Sequence, residues 1–170
     1  MSSVFDDTID VHYGFVFLAD AEADTEEGFG REGQVNGLCG AAVPGQISMT
    51  TGLHTGEIPL RIEWYADEPP LDDSWEESVE VSFDVPSTQL SLSAFEDFRD
   101  VSLPQAGSHR VRFSASGMDA GRELDTTDED EPAPDRYLLQ LWPAPPAPDR
   151  VLKQTGATAA YWHGVARGDA

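Results

Sequence analysis

Lysine is almost missing from this chain: Lys153 is the sole example in 170 residues, and 10 basic side chains stand against 32 acidic ones for a formal net charge of -22. Such a deficit excludes the partners that are themselves polyanions. Binding duplex DNA, RNA or an anionic membrane relies on Lys and Arg displacing condensed counterions or meeting lipid phosphates. The expected counterpart is therefore a basic protein, with no nucleic acid and no membrane among the partners. Cysteine is nearly as scarce. Cys39 alone rules out an intrachain disulfide and a thiolate zinc cluster, and points to a reducing compartment, the cytoplasm. Apolar runs of membrane-spanning length are lacking, and Met1 to Asp10 carries acids where a secretory leader would place basic and then apolar residues. Signatures of catalysis are absent too. There is no G-x-S-x-G elbow, P-loop, dinucleotide fingerprint or H-E-x-x-H, so the chain is not expected to be an enzyme and no cofactor is expected. His12, His54, His109 and His163 are scattered without metal-ligand spacing. The carboxylates Asp125, Asp128, Asp130 and Glu131 lack the D-x-D-x-D-G order that wraps calcium.

What is present is alternation. Ile58, Leu60, Ile62 and Trp64 alternate with Pro59, Arg61, Glu63 and Tyr65, which predicts a strand with one face on a core. Val79, Val81, Phe83 and Val85 alternate in the same way with Glu80, Ser82 and Asp84, predicting an acidic solvent face closed by Pro86. Further strands are expected at Val11–Leu18, Gln46–Thr51, Gln89–Leu92, Phe98–Leu103, His109–Ala115 and Tyr137–Trp142, each bounded by Gly, Pro or Asp. About eight short strands predict an all-β fold, an antiparallel β-sandwich with a short C-terminal helical tail. One helical turn is expected over Asp72–Glu77 and a short helix over Thr155–His163 after a Thr155 cap. Residues 1–142 are read as the β domain. Residues 143–170 are read as a connector, P-A-P-P-A-P at Pro143–Pro148, followed by a tail packed on or extending from that domain.

The carboxylates are not spread evenly. Three stretches, Asp20–Glu32, Asp67–Asp84 and Asp119–Asp135, hold most of them in or beside expected loops, where a rigid β scaffold usually carries its binding surfaces. Rows of carboxylates can imitate the phosphates of a nucleic acid and occupy a basic cleft, with complementary potentials speeding encounter. The residues singled out for pairing with Arg and Lys are Asp67, Glu68, Asp72, Asp73, Asp128, Glu129, Asp130 and Glu131. Two rival readings stand beside this one. A salt-adapted or GC-rich proteome enriches acids without any binding role. A ligand- or sugar-binding module would use Trp64, Trp142 or Trp162.

The order of these segments resembles a known family. V-H-Y-G-F-V-F-L at Val11–Leu18, G-L-C-G-A-A-V-P-G-Q-I-S-M at Gly37–Met49, I-P-L-R-I-E-W at Ile58–Trp64, V-E-V-S-F-D-V at Val79–Val85, D-V-S-L-P-Q-A-G-S-H-R-V-R-F at Asp100–Phe113 and D-R-Y-L-L-Q-L at Asp135–Leu141 follow one another. In this pattern of strands and turns the chain resembles the competence-associated nuclease inhibitors of the ComJ or Nin type, acidic β proteins that bind a DNA-degrading nuclease. The resemblance implies a β fold and a nuclease as the inhibited partner. The acidic segments Asp20–Glu32 and Asp119–Asp135 and the tail after Trp142 are longer here than in that pattern.

Overall fold

A computed structural model describes residues 1–22 and 29–169. Of the first acidic stretch, Asp24, Glu26 and Glu27 lie outside the described residues. The described chain is mostly β, with two short helices. Its strands are β1 (Ser2–His12), β2 (Phe15–Asp20), β3 (Cys39–Gly40), β4 (Gln46–Thr50), β5 (Thr55–Trp64), β6 (Glu77–Val85), β7 (Gln89–Ser93), β8 (Phe98–Ser102), β9 (Gly107–Ser116), β10 (Arg136–Pro143) and β11 (Arg150–Lys153). The helices are α1 (Met118–Leu124) and α2 (Ala157–Arg167). One sheet has the order β1-β5-β10-β9-β6-β11 and the other β3-β4-β2-β7-β8.

Both sheets contribute to one core. Ile58, Leu60 and Ile62 of β5, Val79, Val81 and Phe83 of β6 and Leu139 and Leu141 of β10 share a buried cluster with Val16 and Leu18 of β2, Ile47 and Met49 of β4 and Leu90 and Leu92 of β7. Burying such side chains is the dominant favourable term of folding. The alternation read from the sequence is therefore the inward row of each strand.

Several expectations need correcting. The strand expected over Val11–Leu18 is two strands in different sheets, because the chain turns at Tyr13 and Gly14, both in the left-handed region at φ 67° and 72°. The backbone closes this corner: the Gly14 N–H donates to His54 O (3.0 Å) and the Thr51 N–H to Gly14 O (2.9 Å). β1 and β11 carry weak alternation and gain their order from neighbours, β5 and β6 respectively. The pairing is not wholly antiparallel. β10 lies parallel to β5, Tyr137 opposite Leu60 through Leu141 opposite Trp64, because the segment after β9 doubles back through α1 and inserts β10 between β9 and β5. The helical turn expected over Asp72–Glu77 is instead a non-helical turn that ends before Glu77, the first residue of β6, with the Ser74 N–H donating to Asp72 Oδ1 at 2.9 Å.

The C-terminal helix starts at Ala157 with Gly156 as its N-cap, and the cap is supplied from elsewhere: Asp119 of α1 accepts the N–H groups of Ala157 (3.0 Å) and Thr158 (2.7 Å). Bonds from the Thr158 side chain and backbone, and then from Ala157, hold the Asp119 carboxyl below its ordinary range. On its other side α2 rests against a glycine. A Cβ at Gly37 would stand 1.8 Å from Trp162 O, so only glycine admits the helix this closely. There the Gly37 N–H donates to His163 Nδ1 at 2.9 Å. Burial first, and then the charge of Arg167, drive the His163 imidazole down to about 4.

Candidate functional site

The outward row of β6 is not the acidic solvent face that its alternation predicts. Glu80, in that row, is 1% exposed, and of its acids only Asp84 at the strand's end remains exposed. Glu80 stands opposite Arg112, which stands opposite Gln140, itself opposite Glu63, so one polar row runs across four strands. Glu80 Oε1 accepts from Arg110 Nε (3.4 Å) and Arg150 Nη2 (3.0 Å), and its Oε2 from Arg112 Nε (3.0 Å). Two segments cover this row. Residues 65–76 cross between β5 and β6, with Pro69 O accepting from Arg112 Nη1 at 2.9 Å. The expected connector does the same from the other side, with Ala147 O and Pro148 O accepting from Arg110 at 2.9 and 2.7 Å. The desolvated guanidinium groups are thereby saturated, as a buried charge requires. His109 of β9 is fully buried here, opposite Phe83 and Pro143, and accepts from Trp64 Nε1 at 3.1 Å.

This arrangement divides the eight carboxylates singled out from the sequence. All eight are exposed. Asp67, Glu68, Asp72 and Asp73 lie on the segment crossing the sheet, and two of them already hold basic partners within the molecule. Glu68 pairs with Arg112 at 3.3 Å and Asp73 with Lys153 at 3.4 Å. Asp72 serves its local turn, and bonds from the Ser74 side chain and backbone lower its carboxyl pKa.

Asp128, Glu129, Asp130 and Glu131 lie in the α1–β10 loop instead. Among the described residues no basic side chain pairs with any of the four. The loop is pinned to the start of β5: Asp125 O accepts from the N–H groups of His54 (2.9 Å) and Thr55 (3.1 Å), and the Thr127 N–H donates to Thr55 O (3.1 Å). From there Asp130 and Glu131 border a groove of about 350 Å³ together with Thr8, Glu57, Pro59, Pro132 and Ala133.

Sequence reasoning missed the carboxylates that extend this group. Asp10 of β1 is exposed and lies directly opposite Glu57 of β5, a like-charge cross-strand pair that weakens the sheet edge unless an external cation relieves it. The signal was available as alternation in D-D-T-I-D-V at Asp6–Val11. Asp7 points the other way, toward the second sheet, and pairs with Arg99 of β8 at 3.1 Å. An inward charge on an edge strand discourages strand addition.

The remaining candidates separate by position. Cys39 is fully buried, and burial pushes its thiol up to about 12, so it is held as a packed thiol rather than a nucleophile. Trp142 lies under Arg112 (5.1 Å) on the outward face of the six-stranded sheet, while Trp162 lies on α2 beside a pocket that neither Trp64 nor Trp142 lines. The three do not form one aromatic cleft. Among the described residues no group of three or more His, Cys, Asp or Glu is placed to hold a metal ion, and no helix is long and apolar enough to cross a membrane.

No protein-family model matches the chain, and the search of curated proteins finds no match. Two solved structures share its fold. ComJ from Bacillus subtilis, inhibitor of the DNA-degrading activity of NucA, superposes with a TM-score of 0.57 at 15% identity, over 84% of this chain and 98% of that one. Crocagin biosynthetic gene J superposes with a TM-score of 0.53 at 16% identity, over 85% of this chain and 100% of that one. The chain thus has a ComJ-like fold.

Proposed function

We propose that this chain is a non-catalytic acidic protein that binds and inhibits a basic enzyme, a nuclease, by presenting carboxylates where that enzyme expects phosphates. It acts in the cytoplasm on a protein partner, without a cofactor and without contacting nucleic acid or membrane. The observation that carries the reading is the unequal use of charge. The arginines around Glu80 are paired within the molecule, while Asp128–Glu131, with Asp10 and Glu57 beside them, have no basic partner among the described residues. Exposed like charges in that number cost self-repulsion and repay it only against an opposite potential. The fold shared with an inhibitor of a DNA-degrading activity supports the same reading.

The test is an activity assay. Basic nucleases from the source organism are mixed with the purified protein and cleavage of a fluorogenic duplex is followed at several salt concentrations. Stoichiometric inhibition that weakens as salt rises is expected. The combined variant Asp128→Asn, Glu129→Gln, Asp130→Asn, Glu131→Gln should raise the inhibition constant at least about tenfold, on the order of 1.4 kcal/mol. Full nuclease activity at excess protein and low salt would overturn the proposal.

A further inference from the structure

Large rings are exposed at the same end of the molecule as the unpaired carboxylates. Tyr13 and Phe95 are each 60% exposed, Tyr13 at the β1–β2 corner and Phe95 in the β7–β8 turn. They are joined by imidazoles: His12 lies 4.4 Å from Tyr13 and 4.8 Å from Phe95, and His54 lies 5.3 Å from Tyr13, all between ring centroids. On its far side Tyr13 borders a pocket of about 230 Å³, with His54, Asp125, Tyr161 and Trp162 among its walls. Four rings drawn from three separate turns thus form one outward-facing cluster with a concavity beside it.

The backbone at this end is held in costly conformations. Tyr13, Asp125 and Asp130 are the non-glycine residues with positive φ among the described residues, each at 67°, and all three belong to this end. For a bulky side chain this region is unfavourable, and strain of this kind is kept where the surrounding structure enforces it. At Tyr13 its effect is to hold a phenol ring out into solvent that an ordinary turn residue would not supply.

The chemistry around the rings selects the occupant. Asp10 lies two residues before His12 on β1, Glu96 follows Phe95 and Asp125 borders the pocket, so exposed carboxylates adjoin the ring-bearing positions and the pocket. The basic side chains nearby already have partners: Arg99 bonds Asp97 and Asp7, and Arg122, itself in the wall of the pocket, lies over Tyr161 at 4.8 Å. The Arg122–Tyr161 contact is itself an example of a guanidinium on an aromatic face. Rings within a carboxylate rim suit an Arg or Lys side chain, which gains ring stacking and an ion pair together.

We propose that His12, Tyr13, His54 and Phe95 form a docking surface for an Arg- or Lys-bearing segment of a protein partner, with the aromatic rings as anchor and the carboxylates as rim. The partner's being a protein rests on the inhibitor reading. The surface itself does not depend on that partner being a nuclease.

A direct test is titration of the full chain by NMR with a capped Gly-Arg hexapeptide of alternating sequence and with its Gly-Glu counterpart. Saturable shifts centred on the His12, Tyr13, His54 and Phe95 ring signals are expected with the arginine peptide alone. Glycine suits φ 67° better than tyrosine, so Tyr13→Gly should keep the amide spectrum and the melting temperature while weakening the peptide at least tenfold. Phe95→Ser should act in the same direction. Unchanged affinity in both variants would overturn the inference, as would shifts confined to Asp128–Glu131, or ring shifts that follow protein concentration alone and so mark a second copy. Peptide binding at the rings without nuclease inhibition sinks the inhibitor reading and leaves this surface standing. Inhibition undiminished by Tyr13→Gly, together with unchanged peptide affinity, does the reverse.

Discussion

On the outward face of the six-stranded sheet one buried carboxylate, Glu80, serves three arginines; in the α1–β10 loop four consecutive exposed carboxylates serve none among the described residues. The same two residue classes do opposite work in the two places. In the first, low accessibility makes each unpaired charge expensive, so Arg110 and Arg112 are saturated by Glu80 and by the carbonyls of Pro69, Ala147 and Pro148. In the second, water screens the charges, so they persist without partners and remain free for an external one. The lesson is that net charge does not say which carboxylates are available. Arg110 and Arg112 are buried together with Glu63, Glu77, Glu80 and Asp135, so burial withdraws particular acids from the surface and leaves others, such as Asp128–Glu131, open to an external partner.

The largest effect expected is at Glu80. Glu80→Ala strips the shared acceptor from the arginine group, and breaking a buried charge network from one side costs about 3–5 kcal/mol. Urea denaturation of the variant checks this, and a loss below about 1 kcal/mol would erase the distinction between the two regions.

A smaller effect is expected from His163, another interior polar group. Its folded pKa of about 4 lies below the ordinary histidine value. The unfolded chain therefore binds the extra proton first, and the stability linked to this residue is present above about pH 6.5 and lost as pH falls toward 4. The linked loss is on the order of 3 kcal/mol at the low end. Denaturation of the protein and of His163→Leu should show a steeper loss of stability between pH 6.5 and 4 in the former. Parallel curves would show that the residue is not held neutral.

The smallest stability effect belongs to the exposed loop. The combined neutral variant of Asp128, Glu129, Asp130 and Glu131 should alter unfolding free energy by no more than about 0.5 kcal/mol, or raise it slightly, since surface charges without partners contribute little. A large destabilisation would mean the loop holds the fold together and is not available for docking.

Much of the fold was legible in the sequence for a local reason. Alternation over five to ten residues is a property of the strand itself, so β5, β6, β9 and β10 were found nearly at their observed limits, and the ComJ-like order of segments came with them. The corner at Tyr13–Gly14 was not legible, because V-H-Y-G-F-V-F-L reads as one apolar run and only the contacts of Gly14 with His54 and Thr51 divide it. The candidate site was half legible. Asp128–Glu131 stood out as a run of charge, whereas Asp10 and Glu57 become its neighbours only through the pairing of β1 with β5.

Composition and alternation by themselves determined that the protein is a β fold with a core, a heavy excess of carboxylates and nothing to suit a polyanion. Tertiary structure alone decided which carboxylates are available. Alternation distinguishes the two faces of a strand but does not show what covers the second one. Glu80 and Glu129 look alike along the chain, and they differ because residues 65–76 and 144–149 fold over the first and nothing described folds over the second. That choice depends on contacts between residues dozens of positions apart, beyond the reach of any local pattern.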